Sequence, residues 1–306
     1  MVEFLRRFKD SYFLYSFLRD PVAIGSFAIF LFLAVAGFSA PFTAPHDPYD
    51  TATIDVMDSE LPPSWMDEGE SRFLLGTDDQ GRDMLSTILY GTRVSLIIGL
   101  GAVAVQAFLG ILVGLVAGYS GGRVDSFLMR IADVQLSFST YMVAIFFGAI
   151  FQAVFGVGRY ADIAVPFLIF VIGLAEWPQY ARTVRASVLG EKKKEYVEAA
   201  RVIGLPARRI VGRHILPNTL TPVLVISTVQ VANAIMSEAA LSFIGLGMPA
   251  TKPSLGSLIK AGFEYIFSGS WWITLFPGIV LVALILAINL LGDWLRDFLN
   301  PKLYKG

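Results

Sequence analysis

The sequence predicts an all-α, polytopic membrane protein with six transmembrane helices, and two observations carry that prediction. Of its 306 residues 55% are hydrophobic and only 16% charged, with a mean hydropathy of +0.63. A soluble domain carries about 25% charge. The apolar residues also gather into runs that approach or exceed the roughly 20 residues a spanning helix needs. Cysteine is absent, which excludes disulfides, thiol chemistry and cysteine-ligated metal sites. His46 and His214 lie far apart in the chain and make a poor case for a metal site.

The first run is Val22 to Ala40 and the second Val94 to Ala117. The third, Phe127 to Val154, is interrupted by Asp133 and Gln135; the fourth is Ile163 to Trp177. Thr219 to Leu246 and Trp272 to Leu291 complete the set, and an even number places both termini on one side. Three parts follow. Residues 1–90 hold an interfacial helix, the first span and an external loop, 91–297 the core of spans two to six, and 298–306 a tail.

Basic residues decide the orientation, because cytoplasmic loops are enriched in Lys and Arg. Arg6, Arg7, Lys9 and Arg19 precede the first span, and Arg296, Lys302 and Lys305 close the chain. Nine more, from Arg182 to Arg213, lie between spans four and five. The loop from Pro41 to Ser86 is acidic and holds only Arg72 and Arg82. The termini and the basic insert are therefore expected in the cytoplasm and the acidic loop outside a cell (inner) membrane. Arg159, Lys252 and Lys260 run against this bias.

Phe38-Ser39-Ala40 resembles a leader-cleavage site, but the apolar run before it exceeds the 7–15 residues of a secretory signal. Before the span, FLRRFKDSYFLYSFLRD suits a helix lying on membrane lipid, or an ordinary basic flank. The acidic stretch Gly76 to Asp83 lacks the helix–loop–helix context and terminal glutamate of a calcium loop. It reads as a folded turn on the outer face.

The polar insert EYVEAARVIGLPARRIVGRHILPN, Glu195 to Asn218, interrupts this apolar chain. Tyr196, Ala199, Ala200 and Ile203 recur at helical spacing and form one modest apolar face, opposite Glu195, Glu198 and Arg201. Gly204 can close that helix in a left-handed cap. Pro206 suits the first turn of a second short helix carrying Arg208 and Arg209. Pro217-Asn218 is expected to break the chain again before span five. Two short helices with an apolar face suit docking into a groove on another protein; a solvated basic loop explains the same residues.

No GxxxxGK[ST] phosphate loop and no Ser-His-Asp constellation occurs. The chain therefore has no recognisable catalytic residue, and a driving ATPase would be another polypeptide. Within the spans lie Gln106, Asp133, Gln135, Glu176, Gln230, Asn233, Glu238, Asn289 and Asp293. Gln230, Asn233 and Ser237 share one helical face and are candidates to line a cavity; hydrogen bonding between helices is the expected role of the others. Gly99, Gly101, Gly110, Gly114 and Gly118 permit close packing in span two.

Glu198-Ala199-Ala200, Gly204 and Leu216-Pro217 resemble the EAA loop of permease subunits of binding-protein-dependent ABC importers, with His214 where the general pattern has isoleucine. Leu74 to Leu100, GYSGGRVDSFLMRIADV from Gly118, LSFIGLG from Leu241 and GDWLRDFLNPKL from Gly292 are similar to the "C" permeases of the dipeptide/oligopeptide/nickel branch. Three positions depart from that pattern: Ser139 for a proline, Leu255 for a tryptophan and Asn300 for an aspartate.

The resemblance implies a type I ABC importer permease fold whose cytoplasmic EAA loop couples to an ATPase through Tyr196, Glu198, Ala199, Ala200, Ile203, Gly204 and Arg208. It implies a homologous permease subunit (distinct or a second copy), two cytoplasmic ATP-binding subunits holding ATP and Mg, and an extracytoplasmic solute-binding protein. No cofactor, metal or nucleic acid is expected on this chain. Dipeptides, longer peptides, glutathione and nickel chelates all remain open as substrates. A stand-alone ion-coupled secondary transporter with its site near Glu238 and Asn233 would show paired broken helices, which are not evident. An intramembrane enzyme using Asp133 or Glu176 would need a paired catalytic motif, which is also missing.

Overall fold

A computed structural model describes residues 12–50 and 54–299. The basic residues Arg6, Arg7, Lys9, Lys302 and Lys305, and Asn300, lie outside the described residues, as does most of the 298–306 tail. Among the described residues the ordered elements are helical. They are α1 (Tyr12–Arg19), α2 (Pro21–Thr43), α3 (Met84–Ser120), α4 (Gly122–Leu136), α5 (Thr140–Phe155), α6 (Val157–Glu191), α7 (Glu195–Val202), α8 (Ala207–Ile210), α9 (Leu216–Phe243), α10 (Leu255–Tyr265) and α11 (Trp272–Leu299). Helices α2, α3, α6, α9 and α11 are long and apolar enough to cross a bilayer, and α4 with α5 makes a sixth candidate. The chain divides into two compact units, Met1–Ile97 with Ala239–Gly306, and Ile98–Glu238. The boundary expected at 90/91 falls inside the continuous helix α3.

The third span is not the single helix expected from Phe127 to Val154. The chain turns by 84° between α4 and α5, and Ser139 caps α5 in extended backbone. Asp133 and Gln135 both stay on α4, before the bend. Ion pairs hold α4 along α6, with Arg185 on Asp125 and Arg182 on Asp133, each at 2.5 Å. The 16 residues of α5 give a rod of roughly 24 Å at 1.5 Å per residue. The polar half of the expected span thereby leaves the apolar crossing.

Span five ends at Phe243, short of the expected Leu246, and Gly245 takes φ +84° just beyond. Helix α10, absent from the hydropathy reading, follows. Ser254 caps it reciprocally with Ser257, and Gly256 brings it against the Ala239 backbone, 2.4 Å from where a Cβ would stand. In the same unit the turn expected from Gly76 to Asp83 is folded, with Gly76 and Gly81 at φ +80° and +78°. The Trp272 indole donates to the Thr77 carbonyl at 3.1 Å. Phe17 of α1 packs on Trp294 of α11 at 5.2 Å.

Within the Ile98–Glu238 unit, α3 and α6 meet backbone to backbone. A Cβ on Gly110 would stand 2.2 Å from Tyr180 Cβ and 2.8 Å from the Trp177 carbonyl; on Gly114, 2.6 Å from the Ala181 carbonyl; on Gly118, 2.8 Å from Val188 Cβ. Four-residue spacing places these three glycines on one face of α3. Gly173 of α6 returns the arrangement, 2.6 Å from Val105 Cβ. Small residues let helix backbones approach where lipid supplies no hydrophobic drive for association. The opposite surface of α3 exposes large apolar side chains such as Phe108 and Leu112, which suits contact with hydrocarbon.

Gly110→Val should therefore lower the thermal stability of the detergent-purified protein by at least the roughly 1–3 kcal/mol of ordinary overpacking, because backbone atoms must move. Gly25→Val on α2, where nothing lies within 4 Å, should leave it close to unchanged. Equal melting temperatures for the two variants would contradict the packing described.

Candidate functional site

The insert begins where α6 ends. Lys194 stands in extended backbone and caps α7, and Gly204 takes φ +78° two residues after the helix. The Gly204 N–H donates to the Arg201 carbonyl at 3.0 Å and that of Leu205 to the Ala200 carbonyl at 3.1 Å. This is the left-handed cap that the glycine allows. Pro206 then precedes the four-residue helix α8.

Pro217 does not break the chain. A π-turn, Val211–Ile215, runs directly into α9, with Pro217 in the first turn of that helix. A proline inside a helix lacks the N–H for the carbonyl four residues back and collides with it. The wider π-turn, closed by the Leu216 N–H on the Val211 carbonyl, accommodates it. The insert is therefore mechanically continuous with span five.

The expected docking face is divided. Ala200 is buried together with Val197, whereas Tyr196, Ala199 and Ile203 face outward with Glu198, Gly204 and Arg208. Val202 and Ile203 are 87% and 74% exposed, and they supply the insert's outward apolar surface. The register is set by the pair Val197 and Ala200, which turns inward, and by Tyr196, which is tied at the rim. The Tyr196 hydroxyl donates to the Glu191 carboxylate, and Asn218 Nδ2 donates to that hydroxyl at 3.1 Å. One hydroxyl thus joins the end of α6, the start of α7 and the start of α9. The accepting Glu191 carboxylate holds the Tyr196 phenol above its ordinary value.

A second constellation lies deeper in the same unit. Glu176 of α6 is 8% exposed and accepts from three other helices. Gln106 Nε2 of α3 and Gln230 Nε2 of α9 reach Oε2 at 3.4 and 3.2 Å, while Thr140 Oγ1 of α5 and Ser237 Oγ of α9 reach Oε1 at 3.2 and 3.5 Å. Asn233 Nδ2 donates to Gln230 Oε1 at 2.9 Å. The face Gln230, Asn233 and Ser237 is thus brought together, but Gln230 and Ser237 are buried and bonded to Glu176. Gln106 and Glu176 bond between helices, as expected. Thr140 gave no signal in the sequence, since it joins the cluster only because the chain bends before it.

Residues 110–305 match the model of the family described as binding-protein-dependent transport system inner membrane component. The chain belongs to that family. Residues 11–63 also match the N-terminal transmembrane domain of oligopeptide transport permease C. The permease is 36% identical over 288 residues to the di/tripeptide transport system permease protein DppC of Pseudomonas aeruginosa, covering 94% of this chain and 90% of that one. It is 34% identical to the dipeptide transport system permease protein DppC of Haemophilus influenzae, over 95% of this chain and 94% of the relative. Among solved structures, the inward-facing MetNI methionine ABC transporter superposes with a TM-score of 0.51 over 71% of this chain and 98% of that chain. At 20% identity that likeness concerns the fold: an ABC importer permease, all-α and integral to the membrane.

Hydrogen bonds between membrane helices contribute about 0.6 kcal/mol each, so the four donors to Glu176 together contribute on the order of 2 kcal/mol. Glu176→Leu, which removes the acceptor the four share, should lower the melting temperature of the purified permease by several degrees. Glu176→Gln, which keeps one carbonyl acceptor, should cost clearly less. Identical melting curves for the two variants would contradict the network.

Proposed function

We propose that this chain is the permease subunit of an ATP-driven importer of dipeptides or short oligopeptides and forms half of its translocation pathway. The reading is carried by one observation: dipeptide and di/tripeptide permeases match it along 94–95% of its length, a stretch that includes the coupling insert. The subunit sits in the inner membrane with both termini cytoplasmic, in line with its basic insert and acidic loop. It works with a homologous permease subunit, two cytoplasmic ATP-binding subunits that hold ATP and Mg, and an extracytoplasmic solute-binding protein.

The outward residues Tyr196, Glu198, Ala199, Val202, Ile203, Gly204 and Arg208 meet the ATP-binding subunit, and Ala200 supports them from within. Closure of the ATPases displaces this insert. Because the insert runs unbroken through the π-turn into α9 and is tied to α6 through Tyr196 and Glu191, the displacement reaches both spans together. Those two spans carry Glu176, Gln230 and Ser237, so their movement against α3 and α5 must rearrange the cluster's bonds to Gln106 and Thr140. Gln230, Asn233 and Ser237 act in this reading as the polar face that changes partners when the pathway switches access.

Two substitutions test the coupling. Ile203→Glu places a charge on an exposed position, where it does not disturb the fold but meets the partner. Gly204→Val forces a β-branched residue into the left-handed region, at about 1–2 kcal/mol. Both variants should reach the membrane in near-normal amounts, lose dipeptide uptake by about tenfold or more, and fail to stimulate ATP hydrolysis by the partner subunits. Full uptake in both would remove the insert from the coupling path.

A further inference from the structure

The turn Asp78–Arg82, the chain after α9 and helix α10 enclose a cavity of about 260 Å³ within the Met1–Ile97 and Ala239–Gly306 unit. Arg82 stands in its wall and is committed. It is 4% exposed, ion-paired with Asp78 at 2.6 Å, and donates to the Ala250 carbonyl at 2.8 Å. Three other charged residues, Asp79, Lys260 and Glu264, also line the cavity. Asp79 Oδ1 is buried and has no hydrogen-bond partner. The Lys260 ammonium makes no hydrogen bond or ion pair with any described residue. Although both line one cavity, they form no ion pair with each other.

The place of the ammonium is built into the backbone. Gly245 takes φ +84°, and a Cβ there would stand 2.8 Å from Lys260 Nζ. Glycine at that position therefore leaves the room the ammonium uses. On the other side, burial and then the adjacent Asp78 charge raise the Asp79 carboxyl above its ordinary value, although the nearby Arg82 charge and the Gln80 side chain pull the other way. Burying an unpaired charge is costly, and such groups are normally paired.

We propose that this cavity is a binding site for a zwitterionic short peptide, its ammonium on Asp79 Oδ1 and its carboxylate on Lys260 Nζ. A simple anion would meet Asp79 and Glu264, and a simple cation would meet Lys260; a ligand bearing both charges satisfies both. The volume falls below the roughly 300–1,000 Å³ of sites for drug-sized ligands, which suits one or two residues. The site lies beside the acidic loop assigned to the outer face, so it would receive substrate before translocation. In this respect the proposal rests on the peptide-importer reading.

The chain has no cysteine, so Ala261→Cys on the cavity wall provides a single reporter thiol in this subunit. Its labelling by a maleimide is followed in open membrane fragments carrying the assembled transporter. Millimolar Ala-Ala should slow labelling several-fold, and N-acetyl-Ala-Ala-amide, which carries neither charge, should not. Adding Asp79→Asn or Lys260→Gln should each abolish the protection by Ala-Ala. Equal protection by the two peptides, no protection by either, or protection only by the solute-binding protein without peptide would each overturn the proposal, the last by assigning the surface to that protein. Ala-Ala uptake by intact cells is read separately. Uptake without protection removes this site and leaves the importer reading standing; protection without uptake does the reverse.

Discussion

The approach of α3 and α6 on a stripe of glycines is the contact from which the Ile98–Glu238 unit is built. In hydrocarbon no water drives helices together, so backbone proximity and van der Waals contact must do so. Gly110, Gly114 and Gly118 supply that proximity. The polar cluster follows from it. Gln106 lies one turn before Gly110 on α3, and Glu176 directly precedes Trp177, whose carbonyl faces Gly110. Only when the two backbones are this close does the Gln106 amide reach the Glu176 carboxyl. Since each such hydrogen bond contributes only about 0.6 kcal/mol, the cluster specifies register, and the glycine contact provides the attraction.

The same unit shows how a short polar insert is joined to membrane spans. Its helices α7 and α8 are eight and four residues long, too short to be stable alone, since isolated helices need about 12–15 residues. They are held by tertiary anchors: Val197 and Ala200 buried at the base, Ile210 and Ile215 buried further on, and Tyr196 bonded to Glu191 and Asn218. What remains outside is a small apolar tip, Val202 and Ile203, beside a glycine in the left-handed region. An element so anchored moves with α6 and α9 or not at all. The ion pairs of Arg182 and Arg185 brace α4 along the same helix, but such pairs near water contribute about 0–1 kcal/mol. They steer more than they hold.

Much of the fold was legible because hydrocarbon demands long apolar runs. Spans one, two, four and six fall inside helices, and span five runs only three residues past the end of its helix. The bend at 137–139 was not, since Ser137-Phe138-Ser139 carries neither glycine nor proline to mark it. Helix α10 escaped because its 11 residues, with Lys260 and Glu264 among them, fall below span length. Gly204 was legible because a left-handed cap needs it. Of the apolar face expected on α7, Tyr196, Ala199 and Ile203 point outward and only Ala200 turns inward beside Val197. Eight residues admit more than one apolar stripe, and contacts outside α7, such as that of Asn218 with Tyr196, set the register. Helical spacing made the face of Gln230, Asn233 and Ser237 visible, and Glu176 was expected to bond between helices, but the pairing of Glu176 with that face depends on how α6 packs beside α9.

The central claim is that the outward tip of the insert, and not its buried base, meets the ATP-binding subunit. A photo-crosslinking residue placed at Ile203, and separately at Val197, in the assembled transporter tests it most directly. Irradiation from position 203 should capture an ATP-binding subunit, while position 197, fully buried in the chain, should capture none. Absence of any adduct from position 203, in a transporter shown to be assembled, would contradict the account.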